Sequence, residues 1–195
     1  MAQPRRLILA STSKYRQELL ARLGLAFETA APGVDETALR DEKPGDTALR
    51  LSRLKAQAVQ SRFPDALIIG SDQVAALGEE RFGKPGSYEV AFRQLRRLSG
   101  KAVDFLTAVS LLEARNGRMD SRVVPVRVTF RTFDDRRIEA YLRREQPYDC
   151  AASAKAEALG IALIARIETD DPTSLIGLPL IAVTEMLEQA GLPVV

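Results

Sequence analysis

The chain alternates short apolar runs with stretches of helical periodicity. Leu7–Ala10 is a four-residue apolar run of the kind that forms a buried strand. Ser11-Thr12-Ser13 then offers hydroxyl caps to a helix. Tyr15, Leu19, Leu20 and Leu23 recur at helical spacing until Gly24 ends it. Phe27–Ala30 reads as extended and Pro32-Gly33 as a turn. Asp46-Thr47 predicts the cap of a second helix, with Leu51, Leu54 and Val59 among its apolar positions. Pro64-Asp65 separates it from a second apolar strand, Ala66–Gly70, which ends in Ser71-Asp72-Gln73. Gly78 to Gly86 reads as a polar, glycine-rich loop, after which Ser87 caps a helix through Leu98.

The second half opens with two long stretches of strand character, Val103–Glu113 and Arg122–Phe133, joined through Asn116-Gly117, a hairpin turn signal. Val126, Val128 and Phe130 alternate with Arg127, Thr129 and Arg131, which predicts one buried and one wet face. Asp134–Arg144 reads as a helix, Ile161–Ile167 as a strand and Leu178–Ala190 as a last helix ending at Gly191. Strands alternate with helices at both ends around a central hairpin. The expected class is α/β with a mixed β-sheet, its two lobes set around a central cleft. A chain of 195 residues fits one such domain over 1–195.

Composition narrows the chemistry more than the fold. There is no histidine, which excludes a Ser-His-Asp triad, a histidine base and any histidine-ligated zinc. The single cysteine, Cys150, excludes an intrachain disulfide and a CxxC pair. Catalysis therefore falls to carboxylates, Lys, Arg, Ser, Thr, Tyr or a hard metal held by oxygens. No run of 18 apolar residues occurs, and the apolar run near the N-terminus is too short for a signal peptide, so no membrane partner and a cytoplasmic location are expected. The formal charge is +2, and basic residues are spread out. Arg93, Arg96, Arg97, Arg143 and Arg144 fit solvated helix faces better than a nucleic-acid patch, so no nucleic-acid partner is expected.

Several segments carry candidate chemistry. Gly78-Glu-Glu-Arg-Phe-Gly83-Lys84 fills the first seven positions of a phosphate-binding P-loop, but the eighth is Pro85, with neither hydroxyl nor N–H. Lys84 stays a candidate phosphate ligand. The strand-loop-helix Leu7–Arg16 is better placed: a helix N-terminus presents free N–H groups, Ser11 and Ser13 add hydroxyls, and Arg16 adds a fork for phosphate oxygens. Asp72, directly after a buried strand, is a candidate to take a proton from water or to hold Mg²⁺. The other reading is an Asp that satisfies turn N–H groups. Asp35-Glu36 follows the Pro32-Gly33 turn, and Lys55 lies mid-helix. Lys155 and Glu157 would share one face if their segment were a strand.

Taken together, these pieces resemble the Maf family. The matching pieces are L-I-L-A-S-x-S-x-x-R at the start, D-E at 35–36, K-A at 55–56, G-S-D-Q at 70–73, G-K-P at 83–85 and L-I-G-L-P-L near the end. They run in the family's order from residue 7 to residue 180. The family comprises nucleoside triphosphate pyrophosphatases of the ITPase-like fold, once described as septum-formation inhibitors. The resemblance implies hydrolysis at the α-phosphorus to a nucleoside monophosphate and pyrophosphate. It implies Asp72 as the proton acceptor and a divalent metal cofactor, Mg²⁺, on Glu36 and Asp72. Ser11, Arg16, Lys55 and Lys84 would grip the triphosphate, with Lys155 near the same cleft. The implied partner is a small-molecule nucleotide, and a homodimer is allowed by family analogy alone.

At the base-reading positions the dTTP/UTP branch carries Arg, Thr and Gln where this chain has Tyr15, Gln73 and Glu157. The chain resembles instead the branch that hydrolyses 7-methyl-GTP, a house-cleaning activity on modified nucleotides. The chemistry agrees: N7-methylation makes guanine cationic, an aromatic face attracts a cation, and a carboxylate accepts from N1–H and N2–H₂. The chain departs from the family at Lys14, where Pro is usual, and at Ala152, Ala154 and Ala156, where a glycine, a larger residue and a serine are expected. Alternatives are a dTTP/UTP-type pyrophosphatase, a non-catalytic nucleotide-binding regulator of cell division and, least favoured, a nucleic-acid-binding module.

Overall fold

Residues 5–195 are described by a computed structural model. Met1–Pro4, which begin the segment read as too short for a signal peptide, lie outside the described residues. The first apolar run forms β1 (Leu7–Leu9), with all three side chains buried. Ser13 caps α1 (Lys14–Ala21) by accepting from the Arg16 N–H. After β2 (Glu28–Thr29), α2 (Pro44–Ala58) begins two residues earlier than its expected Asp46 cap, because Pro44 is suited to a first helical position. β3 (Leu67–Leu77) leads into β4 (Glu80–Phe82), α3 (Tyr88–Leu98), the long hairpin β5 (Ala102–Glu113) and β6 (Arg118–Phe130), α4 (Asp135–Glu145), β7 (Ile164–Glu168) and α5 (Leu180–Gln189).

The seven strands form one sheet in the order β2-β1-β3-β5-β6-β7, with β4 also on β3. β1 is parallel to β2 and β3, and the other pairings are antiparallel, so the expected mixed α/β class is the one observed. Period-two alternation separates the faces. Leu7, Leu9, Leu67 and Ile69 pack in one cluster with Leu19 and Leu20 of α1 and with Val183 and Met186 of α5. Ile8, Ile68 and Leu112 pack in another with Ala56 and Val59. The far end of the hairpin shares a third core with α3 and α4.

Three expectations need correction. Asp72 does not follow a strand: β3 continues to Leu77, and Asp72 sits in its middle, opposite Ala108. The 78–86 segment is not all loop, since Glu80–Phe82 folds back on Ala75–Leu77. Lys155 and Glu157 are not strand residues. Their segment follows a short 3₁₀ turn, Ala151–Ser153, and β7 starts only at Ile164. The alanine-rich run lacks the β-branched residues that would favour extension. Ala152 and Ser153 also adopt left-handed backbone, with φ 57° and 54°.

The sheet contains a local gap. β1 accompanies β3 only as far as Leu9 opposite Ile69, and β4 joins the same edge only at Ala75. Between them, residues 70–74 pair with β5 alone among the described strands. This open edge makes the cleft, and it exposes both faces of β3 to one space.

Candidate active site

The cleft has a volume of about 930 Å³. Ser11, Ser13, Tyr15 and Arg16 line it from the β1–α1 junction, Glu36 from the following loop and Lys55 from α2. Asp72 and Gln73 come from β3, Arg81 and Lys84 from the β4 hairpin, and Glu157 from the turn after residue 153. Nine of the ten residues expected at the site therefore meet in one place. Lys155 is the exception: its ammonium lies 3.3 Å from Glu145 and 5.5 Å from the centre of the Tyr15 ring.

Alternation along β3 sorts the chemistry. Gly70 and Asp72 face α2. A Cβ on Gly70 would lie 2.1 Å from the Ser52 carbonyl oxygen, so only glycine lets the helix approach this closely. Ser52 and Ser110 share a buried hydrogen bond of 2.7 Å beside it. This approach brings Lys55, 4% exposed, within 2.6 Å of Asp72 Oδ1. The same Nζ lies 2.6 Å from Glu36 Oε1. Lys55 is thus a buried ammonium between two carboxylates and not a surface lysine.

The charges act on each other. Burial pushes the Asp72 carboxyl above the usual carboxylate range, with Lys55 and Arg16 opposing the rise. Burial acts to raise Glu36 too, but the Lys55 hydrogen bond and the charges of Lys55, Lys84 and Arg16 outweigh it and hold Glu36 low. Arg16 is anchored through Nε to the Gly177 carbonyl at 2.8 Å. Ser11 Oγ accepts from the Ser13 N–H at 3.1 Å, which closes the loop before α1. Lys84 is exposed at the mouth of the cleft.

The opposite face of β3 meets the turn Pro172–Ile176. Ser71 Oγ donates to the Gly177 carbonyl, and Gln73 Nε2 donates toward the Ser174 and Leu175 carbonyls. Tyr15 stands at this end of the cleft and bonds Asp149 through its hydroxyl at 3.1 Å. Burial raises the Tyr15 hydroxyl, so it stays protonated. Burial also raises Glu157, whereas Lys155 rises because its ion pair with Glu145 outweighs burial. The Cys150 thiol, in contact with Asp149 and Tyr15, is pushed up to about 12 by burial and is no nucleophile at neutral pH.

Arg81, Thr47 and Asp149 also line the cleft and were not expected there. Arg81 donates to the Glu42 carbonyl. Its signal in the sequence is its place as the lone basic residue within Gly78–Gly83, a segment whose glycines favour loop. Among the described residues, no group of three or more Asp, Glu or Cys is arranged to hold a metal by itself.

The Maf-like protein family model matches residues 6–190. The chain belongs to the Maf family. Three similar relatives are named 7-methyl-GTP pyrophosphatase. That of Thiobacillus denitrificans is 60% identical over 188 residues, 96% of this chain and 94% of its own length. Those of Cupriavidus pinatubonensis and Nitrosococcus oceani are 56% and 52% identical and cover 96% and 98% of this chain and 94% and 96% of their own lengths. Among solved structures, the Staphylococcus aureus Ham1 protein is similar over 65% of this chain and 72% of its own, with 14% identity and a TM-score of 0.46. No helix among the described residues is long and apolar enough to cross a membrane.

Proposed function

We propose that this Maf protein hydrolyses 7-methyl-GTP to 7-methyl-GMP and pyrophosphate. The observation that carries the reading is Asp72. It is buried, paired with Lys55, and set in a cleft that is basic at one end and holds Tyr15 and Glu157 elsewhere. The names of the relatives support the same substrate.

In this reading Arg16, Lys55, Lys84 and the Ser11 hydroxyl bind the triphosphate oxygens. Asp72 accepts a proton from water as the water oxygen bonds to the α-phosphorus. The bond from that phosphorus to the bridging oxygen breaks, and pyrophosphate leaves with the electron pair. The cations offset the charge that develops on the leaving group. Tyr15 stacks on the cationic base, and Glu157 accepts from its N1–H and N2–H₂ edge.

The donor set fits a divalent ion. Glu36 and Asp72 already converge on one cation, the Lys55 ammonium, and Mg²⁺ commonly takes one or two carboxylates with substrate phosphates completing its shell. Glu36 and Asp72 would hold it, and when bound it would neutralise phosphate charge. Nucleoside triphosphates are cytosolic metabolites, which supports a cytoplasmic site of action.

The test is pyrophosphate release from 7-methyl-GTP, GTP, dTTP and UTP with Mg²⁺ present or chelated. Release from 7-methyl-GTP first, lost on chelation, is expected. Release from dTTP and UTP alone would move the chain to the other branch. Release from none would remove the enzymatic reading in favour of a nucleotide-binding regulator.

A further inference from the structure

We propose that Gln73 reads the base as a hydrogen-bond acceptor only, and that Thr107 is a positioning residue that holds it so. The inference rests on the nucleotide-binding reading of the cleft and deepens it. Gln73 and Thr107 are directly opposed across β3 and β5. Gln73 Nε2 lies 2.8 Å from Thr107 Oγ1, 2.9 Å from the Ser174 carbonyl and 3.1 Å from the Leu175 carbonyl. The two carbonyls can only accept. Rotating the amide by 180° would set Oε1 against both, oxygen facing oxygen. The hydrogen-bond network therefore dictates the orientation.

Thr107 completes the lock. It is fully buried, and its hydroxyl donates to the Ser174 carbonyl at 2.9 Å. With its proton committed there, Thr107 Oγ1 meets Gln73 as an acceptor. Three acceptors thus surround an amide nitrogen with two hydrogens. Nothing is left for it to donate to a ligand, and Oε1 is the polar atom that Gln73 offers the cleft. A carboxylate at Glu157 is likewise acceptor-only. A pocket whose two readers both accept selects a base edge rich in donors. Guanine has one, N1–H with N2–H₂. Hypoxanthine lacks the amino group.

Asp171 supports the same turn. It is buried, accepts from the Thr173 N–H and hydroxyl through Oδ1, and accepts from the Ile181 N–H through Oδ2. That fixes Pro172–Ile176 between β7 and α5, and with it the carbonyls that face Gln73.

The experiment is calorimetric binding of 7-methyl-GMP and 7-methyl-IMP, which differ only by the 2-amino group, to the full chain. Wild type should prefer 7-methyl-GMP by about ten- to a hundredfold, the worth of one to two well-placed hydrogen bonds. Gln73→Met should reduce the preference several-fold, leaving the part that Glu157 supplies at the same amino group. Thr107→Val should reduce it several-fold with 7-methyl-IMP affinity unchanged, and Thr107→Ser, which keeps the hydroxyl, should retain it. Equal binding of the two nucleotides by wild type, or an undiminished preference in Gln73→Met, would overturn the acceptor reading. An undiminished preference in Thr107→Val, or equal weakening of both nucleotides, would overturn the role of Thr107. Absence of pyrophosphate release together with an intact binding preference would instead defeat the proposed hydrolysis and leave this inference standing.

Discussion

The Lys55 ammonium lies 2.6 Å from Asp72 Oδ1 and 2.6 Å from Glu36 Oε1. One buried cation therefore organises the two carboxylates that the proposed chemistry needs, before any substrate arrives. The pair is placed by α2 resting on Gly70, so a backbone contact two residues away sets the geometry of the acid.

Lys55→Met should lower turnover by about a hundredfold, through loss of a charge that stabilises the transition state. It should also move the acidic limb of kcat/KM to higher pH. Burial already raises Asp72, and removing the cation that opposes the rise takes it further. Measured pH–rate profiles check this, and an unmoved limb would separate Lys55 from the titrating group.

Gly70→Ala should be poorly tolerated. The new Cβ would meet the Ser52 carbonyl oxygen at 2.1 Å and the Ala56 nitrogen at 2.8 Å. Both are backbone atoms, so α2 itself must shift. A cost of about 1–3 kcal/mol is typical of such overpacking, and each kcal/mol lowers Tm by about 2–4 °C in a chain of this size. Thermal melting reads the stability, and turnover should fall further than the loss of stability explains because Lys55 moves with the helix.

Glu157→Gln should raise KM for 7-methyl-GTP by about five- to a hundredfold, with kcat changed less. A neutral amide gives up one acceptor and the charge that offsets the cationic base, a loss of about 1–3 kcal/mol. Steady-state kinetics on 7-methyl-GTP and UTP give the split; an unchanged KM for 7-methyl-GTP would remove Glu157 from the base pocket.

Acid stability should depend on Glu42. Its carboxylate accepts from Arg50 at 2.6 and 2.9 Å, from Thr47 at 2.8 Å and from the Leu39 N–H at 3.1 Å. The Arg50 hydrogen bond is the main cause of its fall from an ordinary 4.5 to about 2. A lowered carboxylate stabilises the fold above its unfolded value, and that contribution fades as pH drops toward its folded value. Wild type should lose Tm between about pH 4.5 and pH 2, and Glu42→Gln should show a smaller loss over that range.

Much of this was legible in the residues, and the exceptions have physical reasons. The apolar runs at Leu7 and Ala66, the serine caps at Ser13 and Ser87 and the Asn116-Gly117 hairpin are local signals, and the structure keeps them. In the sequence Asp72 follows an apolar run because Ser71, Asp72 and Gln73 interrupt it. They break it because the neighbouring strand edge is open there and polar side chains face the cleft. The strand itself continues on its hydrogen bonds to β5. Lys55 lies mid-helix, and nothing local shows that Gly70 will bring the helix down on the sheet and bury the ammonium.

The segment around Glu157 carries the weakest local signal. Lys155 and Glu157 have the spacing of strand neighbours, yet the backbone turns there, and Lys155 pairs with Glu145 outside the run. The left-handed φ of 57° at Ala152 explains why the family pattern expects glycine at that position. The carbonyls that orient Gln73 come from more than 100 residues downstream, a relationship that only the folded chain shows.

The central claim is tested most directly by Asp72→Asn assayed for pyrophosphate release from 7-methyl-GTP, with nucleotide binding followed by calorimetry on the same sample. The substitution keeps size and shape and removes the proton acceptor. Turnover should drop by about 10²–10⁴-fold while 7-methyl-GTP still binds. An Asp72→Asn protein that hydrolyses 7-methyl-GTP at close to the wild-type rate would contradict the account.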